Sequence, residues 1–148
     1  MIIRAMEEKD LETVSAICLA AFTQSIADSL SEQGIATFVT VADSKSFGKR
    51  MHEDNVILVA ECDGEVQGVV ELKEGRHIAM LFVRPEQQKQ GIGTKLLSAV
   101  LDQARVKHVT VKASLSSVPA YQKYGFERMG EVGEAAGLVY QPMAFEVN

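Results

Sequence analysis

The chain has 148 residues, 47% of them hydrophobic and 24% charged, which excludes a disordered chain and leaves room for one domain, residues 1–148, around one core. Twenty acidic against fifteen basic residues give a net charge of −5, which argues against a broad nucleic-acid or anionic-membrane binder. No apolar run approaches the ~20 residues needed to cross a bilayer, and the first ten residues turn acidic before a secretory core builds, so a cytoplasmic protein is expected.

Ile2 to Ala5 reads as a short strand. Asp10 stands where an N-cap belongs, ahead of Leu11, Val14, Ile17, Cys18, Ala21 and Phe22 at helical spacing. Between Thr23 and Asn55 the pattern is weak and predicts one or two irregular helices, around Gly34 to Phe38 and Ser46 to Met51. Val56 to Cys62 and Val66 to Leu72 are rich in β-branched residues and joined by Asp63-Gly64, which suits a tight hairpin turn. His77 to Val83 predicts a third, central strand, apolar on both faces and stopped by Pro85. A helix follows from Ile92 to about Arg105, then a strand from His108 to Ala113 and a short helix from Ser117 to Tyr124 closed by Gly125. Phe126 to Met129 and Leu138 to Val147 complete the β content; Pro142, which has no N–H to give, predicts an edge strand or a bulge. The sum is an α/β protein of the α+β type, with a central mixed, mostly antiparallel sheet flanked by helices. Cys18 and Cys62 form no CxxC motif, and His52, His77 and His108 have no ligand spacing, so neither a disulfide nor a metal site is expected.

The residues that carry chemistry run from Val83 to Lys95. From Arg84 to Lys95 the chain holds Arg84, Lys89 and Lys95 against Glu86, a local charge of +2 in an acidic protein. A strand, a turn containing Gly91 and Gly93, and a helix N-terminus make a place where unpaired N–H groups can hold an anion. The dinucleotide fingerprint would need a third glycine at Leu96, and the P-loop spacing is absent. By itself such a glycine pair is more often a turn and packing device than a ligand site.

Gln88-Lys89-Gln90-Gly91-Ile92-Gly93, after a strand ending Leu81-Phe82-Val83, resembles the Gln/Arg-x-x-Gly-x-Gly/Ala signature of the GNAT superfamily of N-acyltransferases. Pro119 to Phe126, with Tyr121 before Tyr124-Gly125, is similar to that family's second signature. The resemblance covers nearly the whole chain. It implies the acyl-CoA N-acyltransferase fold, with acetyl-CoA as cosubstrate and a small-molecule or peptide amine as acceptor. It implies that Leu81, Phe82 and Val83 border the pantetheine arm, that Gln88, Lys89, Gln90, Gly91, Ile92, Gly93 and Thr94 cradle the pyrophosphate, and that Ser114 adds a contact. The chain departs from the commoner pattern at Ser114 and Ser117, where many relatives carry Asn and Ala, and at Gln88, where Arg is commoner.

At pH 7 an alkyl amine with a pKa near ~10.4 is neutral only about once in 2,500 molecules, so a base or a proton path is needed. His77 is the first candidate, four residues before Leu81, and Glu71 the second. The departing thiolate needs a hydrogen bond or a proton, and the resemblance implies that Tyr121, by itself more often core filler, stands near the sulfur to give it, with Tyr124 at the family's apolar position. With no cysteine beside a base, direct transfer is expected, the resemblance implying a ternary complex, and a CoA-binding module without turnover is the alternative. The resemblance implies that the acceptor meets the first helix, the segment after it and the late strands, mainly residues 22–55 and 131–141, where Asp28, Glu32 and Glu134 would favour a cation, although ordinary solvated charges are the simpler reading. A monomer and a homodimer are both compatible with the sequence.

Overall fold

The structure is a computed structural model and describes residues 1–26, 30–88 and 90–148. Eight strands form a mixed sheet: β1 (Ile2–Ala5), β2 (Asn55–Cys62), β3 (Glu65–Lys73), β4 (His77–Val83), β5 (His108–Ala113), β6 (Glu127–Arg128), β7 (Gly133–Ala135) and β8 (Leu138–Glu146). Their order is β1-β2-β3-β4-β5-β8-β6, with β7 also on β8, and every pairing is antiparallel except β4 with β5. The β2–β3 hairpin turns at Asp63 and Gly64, both at positive φ, as its sequence requires.

Five helices cover the sheet: α1 (Leu11–Ser25), α2 (Glu32–Ala42), α3 (Ser44–Arg50), α4 (Ile92–Leu101) and α5 (Val118–Tyr124). On one face Ile92, Leu96, Leu97, Val100 and Leu101 of α4 bury against Val70, Leu72, Ile78 and Val111. On the other, Val14, Ile17, Cys18 and Phe22 of α1, Phe38 of α2 and Phe47 of α3 bury against Ile57, Val59, Val69 and Met80. Phe22 and Phe38 stack with ring centroids 3.9 Å apart, which locks α1 to α2. No helix of the described residues is long and apolar enough to cross a membrane.

Four features differ from the sequence expectation. Asp10 does not cap α1 with its side chain; it ends a 3-10 turn, accepts from the Glu7 amide at 2.8 Å, and is gripped by Arg4 through Nη1 at 2.8 Å and Nη2 at 3.0 Å. The weakly patterned region holds two regular helices, because Ser31 and Asp43 cap them by accepting from Gly34 and Ser46. Helix α4 stops at Leu101, and the Arg105 amide is taken instead by the Gly75 carbonyl at 2.8 Å. Pro142 sits in the interior strand β8, opposite Lys112 of β5; its carbonyl accepts from Met129 at 2.9 Å, so its missing donor faces the end of the two-residue β6.

Candidate active site

The parallel pair β4–β5 is registered at two positions only, His77 with Thr110 and Ile78 with Val111. Beyond them the strands part, just where β4 is irregular: Glu71 faces Met80 but Leu72 faces Ile78, which leaves Ala79 as an extra, exposed residue. A cleft of about 1160 Å³ lies at the parted end, bordered by Leu81, Phe82 and Val83 of β4, Gln88 and Gly91 to Thr94, and Tyr121 of α5. With no β5 partner past Ile78, one edge of this stretch of β4, apart from the Val83 carbonyl, can pair with an extended ligand. Its side chains serve the core: Leu81 and Val83 pack toward α4, and Phe82 meets Phe38 edge-on at 5.3 Å.

Gly91 begins α4 at φ 82°, a left-handed conformation that disfavours any residue with a Cβ. The helix's first backbone bond runs from the Lys95 amide to the Gly91 carbonyl at 3.1 Å, so the N–H groups of Ile92, Gly93 and Thr94 have no helical acceptor and an anion at the cleft mouth can take them. Gln88 is exposed and donates Nε2 back to the Val83 carbonyl at 3.1 Å. Ile92 is buried in the core and anchors the helix. Gln90 is exposed and does not border the cleft, and Lys89 lies outside the described residues.

Tyr121 is 7% exposed, stands edge-on to Phe126 at 5.2 Å, and borders the cleft. Among the described residues its hydroxyl has no protein hydrogen bond, and burial pushes the phenol well above its ordinary range, so it stays protonated. Tyr124 also borders the cleft, but donates to Ser98 Oγ at 3.2 Å and packs on Phe145. Ser114 does not border the cleft; it pairs with Ser117, which does, together with Ser116.

His77 falls outside the cleft, at the start of β4, with Nδ1 2.8 Å from Thr110 Oγ1. Desolvation first, and then Lys112, Arg76 and Lys73, lower its pKa to about 4. Glu71 does not face solvent as a strand-end carboxylate would. It is fully buried below α3, where Oε2 accepts from Arg50 Nε at 2.9 Å and Asn55 Nδ2 at 3.0 Å. Of the acceptor candidates, Glu32 and Glu134 are exposed and away from the cleft, and Asp28 lies outside the described residues.

The cleft also takes in Ala21 and Ser25 of α1 and Ile26 just after it, the last two inside the 22–55 stretch expected to meet the acceptor, together with Ser116 and Lys123 of α5, which the sequence does not flag. Only tertiary packing brings α1 there. Lys123 had a legible signal, being two residues after Tyr121 on a helix facing the glycine turn.

The site is thus a cleft in a mixed sheet parted between β4 and β5, with a glycine-turned helix N-terminus at its mouth, and the comparisons place this fold among the N-acetyltransferases. The chain belongs to the acetyltransferase (GNAT) domain family, whose model matches residues 26–147. It is 27% identical over 125 residues to YafP, an N-acetyltransferase of Escherichia coli (strain K12), covering 84% of this chain and 80% of that one. Its fold is similar to a GCN5-related N-acetyltransferase from Rhodopseudomonas palustris, with a TM-score of 0.86 and 24% identity over 99% of this chain and 95% of the other. It also resembles the PaiA N-acetyltransferase from Thermoplasma acidophilum in complex with coenzyme A, at 0.79 and 20% identity over 99% and 98%. The protein is an acetyltransferase of this family.

Proposed function

We propose that the protein transfers an acetyl group from acetyl-CoA directly to a small-molecule or peptide amine while both are bound. The observation that carries this reading is the parting of β4 from β5 after Ile78, which leaves one edge of Leu81 to Val83 without a strand partner beside the cleft. An extended arm bearing amide groups fits such an edge as an added strand does. Gly91 to Thr94 would hold the pyrophosphate through main-chain N–H groups, with Lys123 the nearby cation. The donor supplies an acetyl group activated as a thioester.

Tyr121 would meet the leaving sulfur. A thiol's ordinary pKa is near ~8.5, below that of the raised phenol, so the tyrosine is better suited to hydrogen-bonding a thiolate than to giving up its proton. The attacking amine would pass its proton along water to the bulk solvent and attack as the free base, since His77 is displaced from the cleft and the Glu71 carboxylate is tied to Arg50. Direct transfer is supported by the thiols. Cys18 is buried in the α1 stripe and its pKa is pushed up to about 12 by desolvation and then by Glu71, so it is no nucleophile at neutral pH.

The test is release of free thiol from acetyl-CoA across a panel of alkylamines, amino acids and lysine peptides. Acetylated amine and thiol in equal amounts are the expected products. CoA binding by calorimetry with no thiol release from any member would leave a binding module and overturn the transferase reading.

A further inference from the structure

We infer that Arg84 and Gln67 are positioning residues for the glycine turn, and that Arg84 acts through its hydrogen bonds and not through its charge on the donor's phosphates. The inference rests on the reading above that the turn takes the pyrophosphate.

Arg84 is the first cation of the basic stretch, and its sequence position suggests a phosphate ligand. The structure turns it away. Its guanidinium does not border the cleft; Nε donates to Gln67 Oε1 at 3.0 Å and Nη2 to the Val66 carbonyl at 3.2 Å. The Arg84 amide donates to the Gln67 carbonyl at 2.7 Å. Gln67 is available because it is the extra residue of a bulge: Ala60 faces Gly68 while Glu61 faces Val66, so one residue of β3 stands outside the β2 register. It is also a buried polar residue, 7% exposed.

These three bonds fasten the chain where β4 ends and the turn begins. Pro85 to Gln87 then form a 3-10 turn that returns the Gln87 amide to the Arg84 carbonyl at 2.8 Å. The far side of the turn rests on the next residue of the same strand. A Cβ on Gly68 would lie 3.0 Å from Leu96 and 3.3 Å from Ile92, so the bare glycine lets the first turn of α4 seat on β3. Val66, Gln67 and Gly68 thus fix both ends of the segment whose N–H groups face the cleft. A positional error there costs affinity only for a ligand that uses those N–H groups.

The experiment compares acetyl-CoA with S-acetylpantetheine, which carries the same thioester and no pyrophosphate, in the parent and in Arg84→Lys, Arg84→Met, Gln67→Met and Gln67→Glu. The parent should use acetyl-CoA at the lower KM. Gln67→Met, which loses one charge-assisted hydrogen bond, and Arg84→Lys, which loses the two-pronged grip, should each raise the KM for acetyl-CoA about tenfold, and Arg84→Met, which loses both side-chain bonds, by at least as much, with kcat and the constants for S-acetylpantetheine unchanged. Gln67→Glu keeps an acceptor for Arg84 and should retain the parent's KM. Retained affinity in Arg84→Lys would show that charge suffices and overturn the inference. Equal losses with both donors would show a merely structural role and overturn it too. A parent that does not distinguish the two donors would instead bring down the phosphate assignment, and this inference with it.

Discussion

Tyr121 has what a hydrogen-bond donor to a thiolate needs: an unengaged hydroxyl, a ring held edge-on by Phe126, and a place on the cleft wall. Tyr121→Phe keeps the ring, so folding and CoA affinity should hold while kcat falls roughly 10²-fold. Tyr124→Phe should do far less, since its hydroxyl is spent on Ser98. Parent-like single-turnover rates in Tyr121→Phe would assign the phenol to packing. For His77 the expectation is the reverse: His77→Gln should leave kcat and its pH profile unchanged and alter stability instead. Its folded pKa, about 4, lies below the ordinary 6.5, so on acidification the unfolded chain takes up the proton first. Its contribution is therefore intact above about pH 6.5 and lost as pH falls toward 4. Paired thermal melts from pH 7 to 4.5 should show the parent losing more stability than His77→Gln. The sequence brought out Tyr121 because its neighbours share a signature, but it gave no warning of Glu71's burial. That depends on Arg50 and Asn55, which neither spacing nor periodicity connects to β3.

At the scale of elements, Gly91 and Gly93 separate two reasons for being glycine. Gly91 needs positive φ, so Gly91→Ala should cost about 1 kcal/mol of stability as well as CoA affinity. A Cβ on Gly93 meets only Val83, at 3.8 Å, so the folded chain accommodates Ala there. Gly93→Ala should then melt like the parent and still bind CoA more weakly, by calorimetry; unchanged affinity would remove Gly93 from the phosphate contacts. Helix α2 meets the β7–β8 turn through another glycine pair. A Cβ on Gly34 would come within 2.2 Å of the Gly137 carbonyl, while Thr37 Oγ1 donates to the Ala136 carbonyl at 2.8 Å. Gly34→Ala cannot be absorbed by a rotamer change and should destabilise by about 1–3 kcal/mol, measurable by denaturant unfolding. Strand β7 escaped the sequence reading because three residues around a turn carry no alternation. The strands from Val56 to Val83 were plain, having β-branched or wholly apolar runs and an Asp-Gly turn together.

For the whole molecule, element order and the mixed sheet were legible because each long strand and helix carries its own periodicity. The parting of β4 from β5 was not, since it is a property of two strands that do not adjoin in sequence. Electrostatics at this scale are sparse. Arg84 is turned onto β3, and among the described residues the cations Lys95 and Lys123 are exposed. CoA affinity should therefore decline as added salt screens them, the Debye length being about 10 Å at 0.1 M. Replacing Cys18 and Cys62 together by Ala should preserve turnover, and a trapped acetyl adduct on the parent would contradict direct transfer.

Two registered residue pairs hold the β1–β4 half of the sheet to the half built on β5 and β8, apart from what the helices add. Such a seam is where the protein should open first, by local unfolding below the global free energy. A ligand that bridges both sides supplies the missing rungs, so donor binding becomes part of folding. At one hundred times its Kd it would add about 2.7 kcal/mol. Amide hydrogen exchange should report this directly, with Ala79 to Val83 exchanging fast in the free protein and slowing on adding CoA, while β2 and β3 change little.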